Sequence, residues 1–183
     1  MSKRIALLSA AFSVLALSAT IAVPLHAEEK TVMVGGAAMY PSRNIIQNAV
    51  NSKDHTTLVA AVKAAGLVET LEGKGPFTVF APTNTAFGKL PAGTVDNLVK
   101  PENKATLTKI LTYHVVPGKL EASDLTDGKT LKTVEGETLT VKKEGGKTWI
   151  VDAKGDTSMV TISNVNQSNG VIHVIDTVLM PAS

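Results

Sequence analysis

Three of the four histidines lie beyond residue 27, His55, His114 and His173, and they are the residues best suited to chemistry. Imidazole is the side chain that titrates near neutral pH and the commonest metal ligand. His114 and His173 with Asp176 would supply three metal ligands, and Ser163 or Ser168 beside either histidine and Asp176 would assemble a Ser-His-Asp hydrolase on paper. Neither arrangement has a supporting pattern. The histidines show no tight ligand spacing, and His173 and Asp176, three apart in a strand, fall on opposite faces. No Gly-x-Ser-x-Gly elbow is present. The simpler expectation is that His114 and His173 are core histidines, held by hydrogen bonds that offset the cost of burying them. His55, next to Asp54, reads as a surface residue at a helix start. There is no cysteine, so thiolate nucleophiles and thiolate metal sites are excluded. Gly73-Lys74-Gly75 and Gly145-Gly146-Lys147 are too short for a phosphate loop and read as turns. Asn166-Gln167-Ser168 fits a glycosylation sequon and is read as chance. No catalytic residue, metal or cofactor is expected.

Helices must come first to position these groups. Ile45, Ile46, Ala49 and Val50 have helical spacing. Asp54 then precedes Leu58, Val59, Ala61, Val62 and Ala65, with Gly66 as a stop. Residues 94–99 and 103–114 read as helices, and Leu107, Ile110, Leu111 and His114 share one face of the second. Residues 77–81 form a short apolar strand ended by Pro82, and Thr83 can cap a helical turn carrying Ala86 and Phe87. Leu67, Val68, Leu71 and Leu90 read as core with the potential for an apolar groove. Beyond Gly118 the pattern turns to strands: residues 129–134, 138–142, 148–151, 160–165 and 171–178, with turn residues between them. The last is apolar on both faces apart from His173 and Asp176, so it should be central. Helices followed by strands argue an α+β fold with a mostly antiparallel sheet or sandwich.

The N-terminal 27 residues read as a secretory signal peptide. Lys3 and Arg4 precede an uncharged apolar run from Ile5 to Val23, then Pro24 and a small residue, Ala27, at the cut. Cleavage after Ala27 is favoured over an uncleaved anchor. That segment holds 2 of the 18 basic side chains and none of the 16 acidic ones, so 16 of each remain and the mature charge is zero. A nucleic-acid surface, which needs clustered Lys and Arg, is not indicated. Residues 28–43 read as an N-terminal arm and residues 44–183 as one domain, large enough to hold a core without disulfides.

Three segments together resemble the fasciclin domain family. They are residues 78–87 (Thr-Val-Phe-Ala-Pro-Thr-Asn-Thr-Ala-Phe), Tyr113-His114 with Val115-Val116-Pro117-Gly118, and residues 170–181 (Gly-Val-Ile-His-Val-Ile-Asp-Thr-Val-Leu-Met-Pro). Their order and spacing also fit, over roughly Asn44 to Pro181, in the single-domain form of the secreted bacterial members. The resemblance implies a wedge in which a β-sandwich of mostly antiparallel strands packs against several helices from the N-terminal half. It implies Phe80, Pro82, Thr83, Asn84, Phe87, His173 and Asp176 as structural signature residues. In animal relatives the Tyr-His segment has been linked to integrin binding, which carries here only to Tyr113 and His114 as partner-binding residues.

The expected function is an exported, non-catalytic adhesion or interaction module. It would be secreted or periplasmic, with a protein or glycan partner at a cell surface or matrix, no nucleic acid and no membrane span after cleavage. One alternative is a carrier of an apolar small molecule such as a pigment or lipid, which requires a continuous apolar cavity. The other is a hydrolase or metal site using His114, His173 and Asp176.

Overall fold

Helices precede most of the strands, in the order that the two periodicities predict. The structure, a computed structural model, describes residues 29–182. The cleavage site expected after Ala27 lies outside the described residues. Helix α1 (Ile45–Ala49) opens at Asn44, whose side chain accepts from the Gln47 amide while the Gln47 side chain accepts from the Asn44 amide. A 3-10 turn (Lys53–His55) leads into α2 (Thr56–Ala65), which buries Leu58, Ala61, Val62 and Ala65. Gly66 ends it in the left-handed conformation that glycine adopts without strain. Helices α3 (Val68–Glu72), α4 (Asn84–Gly88), α5 (Thr94–Leu98) and α6 (Lys104–Tyr113) follow.

Strands β1 (Val32–Val34) and β2 (Ala37–Met39) form a separate antiparallel hairpin. The main sheet holds β3 (Phe77–Pro82), β4 (Val115–Pro117), β5 (Thr130–Lys132), β6 (Thr138–Glu144), β7 (Lys147–Val151), β8 (Thr157–Gln167) and β9 (Gly170–Ile175). Their order is β4-β3-β9-β8-β7-β6-β5, antiparallel throughout except for the parallel pair β3–β9. Strand β8 pairs with β7 at its start and with β9 along the rest. Two register shifts and Asn164 at φ 57° interrupt that second ladder, and such irregularities bend a strand. One long bent strand thereby serves both layers of a sandwich. At the outer edges the Val134 amide donates to the Val115 carbonyl at 2.8 Å, bringing the two end strands together.

The two-residue period of β3 and β9 divides the interior in two. Val79, Ala81, Ile172 and Val174 face the helices and pack with Ile45, Leu58, Val62, Phe87 and Leu111. Phe80 and Ile175 face the other way, into the sandwich, with Tyr113, Leu131, Leu139, Val141 and Ile150. The parallel register places Gly170 opposite Phe77. A Cβ there would stand 2.0 Å from the Phe77 carbonyl oxygen, so only glycine fits.

Four sequence expectations need correction. Residues 28–43 are not a bare arm, because the β1–β2 hairpin buries Val34 and Met39 in the helix-side core. Helix α3 forms in a stretch where the sequence reading places no helix; its Leu71 is buried, as the core reading expects, while Leu67, Val68 and Leu90 are partly buried against the core. The last strand ends at Ile175 rather than 178, since Asp176 turns its carboxylate onto the Met159 amide at 2.8 Å. His55 is buried, not exposed.

Candidate functional site

Tyr113 and His114 sit at the end of α6, where the helix passes into β4. Both are buried. The Tyr113 hydroxyl donates to the Thr138 carbonyl at 3.2 Å and accepts from the Ala153 amide at 2.8 Å, tying β6 to the β7–β8 turn. Burial pushes its pKa up to about 12, assisted by the charges of Asp152, Glu137 and Glu135 and opposed by the Ala153 hydrogen bond. The Leu179 amide donates to His114 Nε2 at 3.0 Å, so that nitrogen carries no proton, and Nδ1–H must donate to the Ile110 carbonyl at 2.8 Å. Burial lowers the His114 pKa to about 4, against smaller upward pulls from the Ile110 carbonyl and Asp152.

His173 follows the same logic on β9. Nε2 donates to the Leu120 carbonyl at 2.7 Å, and Nδ1 accepts a longer 3.4 Å bond from the Asn164 amide. Its ring stacks on Phe80, with centroids 5.7 Å apart. Burial lowers its pKa, while the Leu120 carbonyl and Glu121 raise it less. The core-histidine expectation therefore describes both His114 and His173. Asp176 accepts from the Met159 amide and the Thr177 hydroxyl, with the Lys89 ammonium 3.7 Å away. His114, His173 and Asp176 are each spent on backbone or neighbouring side chains, and the structure does not bring the three together as ligands. Among the described residues no cluster of three or more His, Cys, Asp or Glu could hold a metal ion.

The first signature segment does structural work as well. Thr83 caps α4 by accepting from the Ala86 amide at 3.2 Å. Asn84 serves a different helix: it accepts from the Thr57 amide and donates to the Lys53 carbonyl, pinning the start of α2 to α4. Phe80 and Phe87 fill opposite sides of the sheet, and Pro82 closes β3 opposite Ile175.

An apolar cavity of about 40 Å³ lies between the hairpin, α1, α2 and the sheet, lined by Val34, Met39, Ile45, Leu58, Val62 and Ile172. His55 borders it. Its Nδ1 bonds to the Ser52 hydroxyl at 2.9 Å, while Nε2 has no hydrogen-bond partner. Burial lowers the His55 pKa, against smaller upward effects of the Ala81 backbone and Asp54. The sequence places His55 at the surface, although His55, Leu58, Val62 and Ala65 repeat at helical spacing and so share the buried face. Drug-sized ligands need roughly 300–1,000 Å³. The cavity is too small for a pigment or lipid in this conformation.

The fasciclin domain model matches residues 53–181. The chain belongs to the fasciclin domain family. Protein sll1483 of Synechocystis sp. is 50% identical over 157 residues, covering 86% of this chain and 84% of that one. The immunogenic protein MPB70 of Mycobacterium bovis is 40% identical over 138 residues, covering 73% of this chain and 66% of its own. The cell surface glycolipoprotein MPB83 of the same species is 39% identical, covering 81% and 64%. Among solved structures, a FAS1 domain pair from the insect cell adhesion molecule fasciclin I aligns with a TM-score of 0.68 at 20% identity, over 77% of this chain and 52% of that one. That likeness shows the fold alone.

In this fasciclin domain the Tyr-His segment is interior. The sandwich and the segment that follows β9 cover Tyr113 and His114. Their hydrogen bonds join layers of the fold. Tyr113→Phe should leave the Ala153 amide and the Thr138 carbonyl unpaired and cost about 1–3 kcal/mol. It should also remove an alkaline transition. A phenol whose folded pKa lies above its unfolded value stabilises fully below pH 10 and loses that contribution as pH rises toward about 12. Chemical unfolding at pH 7 and pH 11 on both proteins checks both effects.

Proposed function

We propose that this chain is an exported, non-catalytic interaction module that engages a protein or glycan at a cell surface or matrix through its folded exterior. The supporting observation is the commitment of the titratable signature groups. The ring nitrogens of His114 and His173, the Tyr113 hydroxyl and the Asp176 carboxylate are all engaged in hydrogen bonds that hold the fold together. The printed description of one relative, a mycobacterial cell surface glycolipoprotein, favours the same reading. Among the described residues no helix is long and apolar enough to cross a membrane.

The test is direct. Labelled mature protein is added to cell-surface and matrix preparations, beside an unrelated protein of zero net charge. Saturable binding above that control is expected, competed by unlabelled protein. Binding no better than the control's would remove the basis of the proposal. Alanine replacement of His173 should lower stability while leaving any residual binding per folded molecule unchanged, because its ring is fully buried.

A further inference from the structure

The segment after β9 closes one end of the sandwich. Its Val178 and Leu179 are buried, and Leu179 packs into the same interior as Tyr113. Four of its amides go to side chains rather than to a neighbouring strand. Thr177 N donates to Ser158 Oγ at 3.0 Å and Leu179 N to His114 Nε2 at 3.0 Å. Met180 N donates to Asp152 Oδ2 at 2.9 Å and Ala182 N to Glu137 Oε2 at 2.8 Å. Three of the four acceptors are titratable. His114 changes role most sharply, because a proton on Nε2 turns the acceptor into a donor facing the Leu179 N–H.

We propose that residues 177–182 form an acid-released strap, latched by His114, whose detachment uncovers the end of the sandwich built around Tyr113 and His114. The groups around the latch are few. Asp152, from the β7–β8 turn, is the charge His114 feels, and it also anchors the strap at Met180. On its own helix the neighbour Tyr113 stays neutral, and the Ile110 carbonyl takes Nδ1–H. Beyond Tyr113 lie Glu137, the third anchor, and Glu135, paired with Lys109 at 3.5 Å. Asp152 draws a proton toward His114, but it cannot replace the acceptor that Leu179 loses.

Linkage sets the size of the effect. In the closed state the ring titrates at about 4. With the strap away and the ring in water it titrates near its ordinary value of about 6.5. The open-to-closed ratio then rises about tenfold per pH unit across that window, to a limit of about 300-fold.

Amide hydrogen exchange on the full folded chain, expressed as protection factors at pH 7 and pH 5, tests this. Protection of the Leu179 and Met180 amides should fall at least tenfold, while the Ile172 and Val174 amides of β9 fall much less. In the His114→Gln variant the pH dependence at the strap should vanish. A wild-type NMR titration gives a second readout, because the His114 ring and the strap amides should change with one midpoint. The proposal is overturned if strap and β9 amides lose protection together, if His114→Gln keeps the pH dependence, or if the two NMR midpoints differ.

Discussion

Lowering the pH from 7 to 4 should destabilise this domain by about 3 kcal/mol through His114 alone, from a 2.5-unit separation at about 1.4 kcal/mol per unit. The sign follows from proton counting. The folded pKa lies near 4 and the unfolded one near 6.5, so between them the unfolded chain binds more protons. The stabilising contribution is complete above about pH 6.5 and drains away as the pH falls through 4. His55 and His173 are lowered by burial as well, so they act in the same direction. Against a typical total of about 5–15 kcal/mol the loss is large. Urea midpoints measured at pH 7, 5.5 and 4 should fall steadily, and His114→Gln should flatten part of the slope. A midpoint indifferent to pH across that range would mean that the rings are not buried as neutral bases.

The parts of this fold legible in the sequence were those governed by local period and local punctuation. The alternation of Leu139 and Val141 with Thr138 and Thr140 marks β6, and Gly66 marks the end of α2. Thr83 reads as a cap because its partner, the Ala86 amide, lies three residues away. What stayed hidden was set by distance along the chain. Asn84 looks like a second cap for its own helix, yet it serves the Thr57 amide, 27 residues earlier. The β1–β2 hairpin has three residues per strand and two of those in β2 are alanine, too little apolar signal to show a period. His55 was misjudged for a different reason. Its charge neighbour Asp54 suggested a solvated helix start, while the apolar spacing it shares with Leu58 and Val62 outweighed that in the fold. The signature resemblance supplied the family, and the local physics supplied the core roles of His114 and His173. Neither gave the third connection, between α1, α3 and the start of β9.

That connection runs through Asn169, and replacing it should cost about 3 kcal/mol or more. Its Oδ1 accepts from the Ile45 amide at 3.0 Å, an open amide at the head of α1. Its Nδ2 donates to the Leu71 carbonyl at 2.7 Å and to the Gly73 carbonyl at 2.9 Å, satisfying the end of α3. Asn169 is buried, so water cannot stand in for the lost partners. Asn169→Ala leaves one donor and two acceptors unpaired, at roughly 1–3 kcal/mol for each that stays dry. Asn169→Asp is the sharper comparison, because it preserves shape. The carboxylate can still accept from Ile45, but its second oxygen would face two carbonyl oxygens with no hydrogen between them, and a buried charge would be added. Asp should therefore be worse than Ala at pH 7, despite being the closer match in size. If Asp equals Asn in urea midpoint, the amide nitrogen is not bonded to Leu71 and Gly73. In that case the two short helices would be held to the sheet by apolar packing alone.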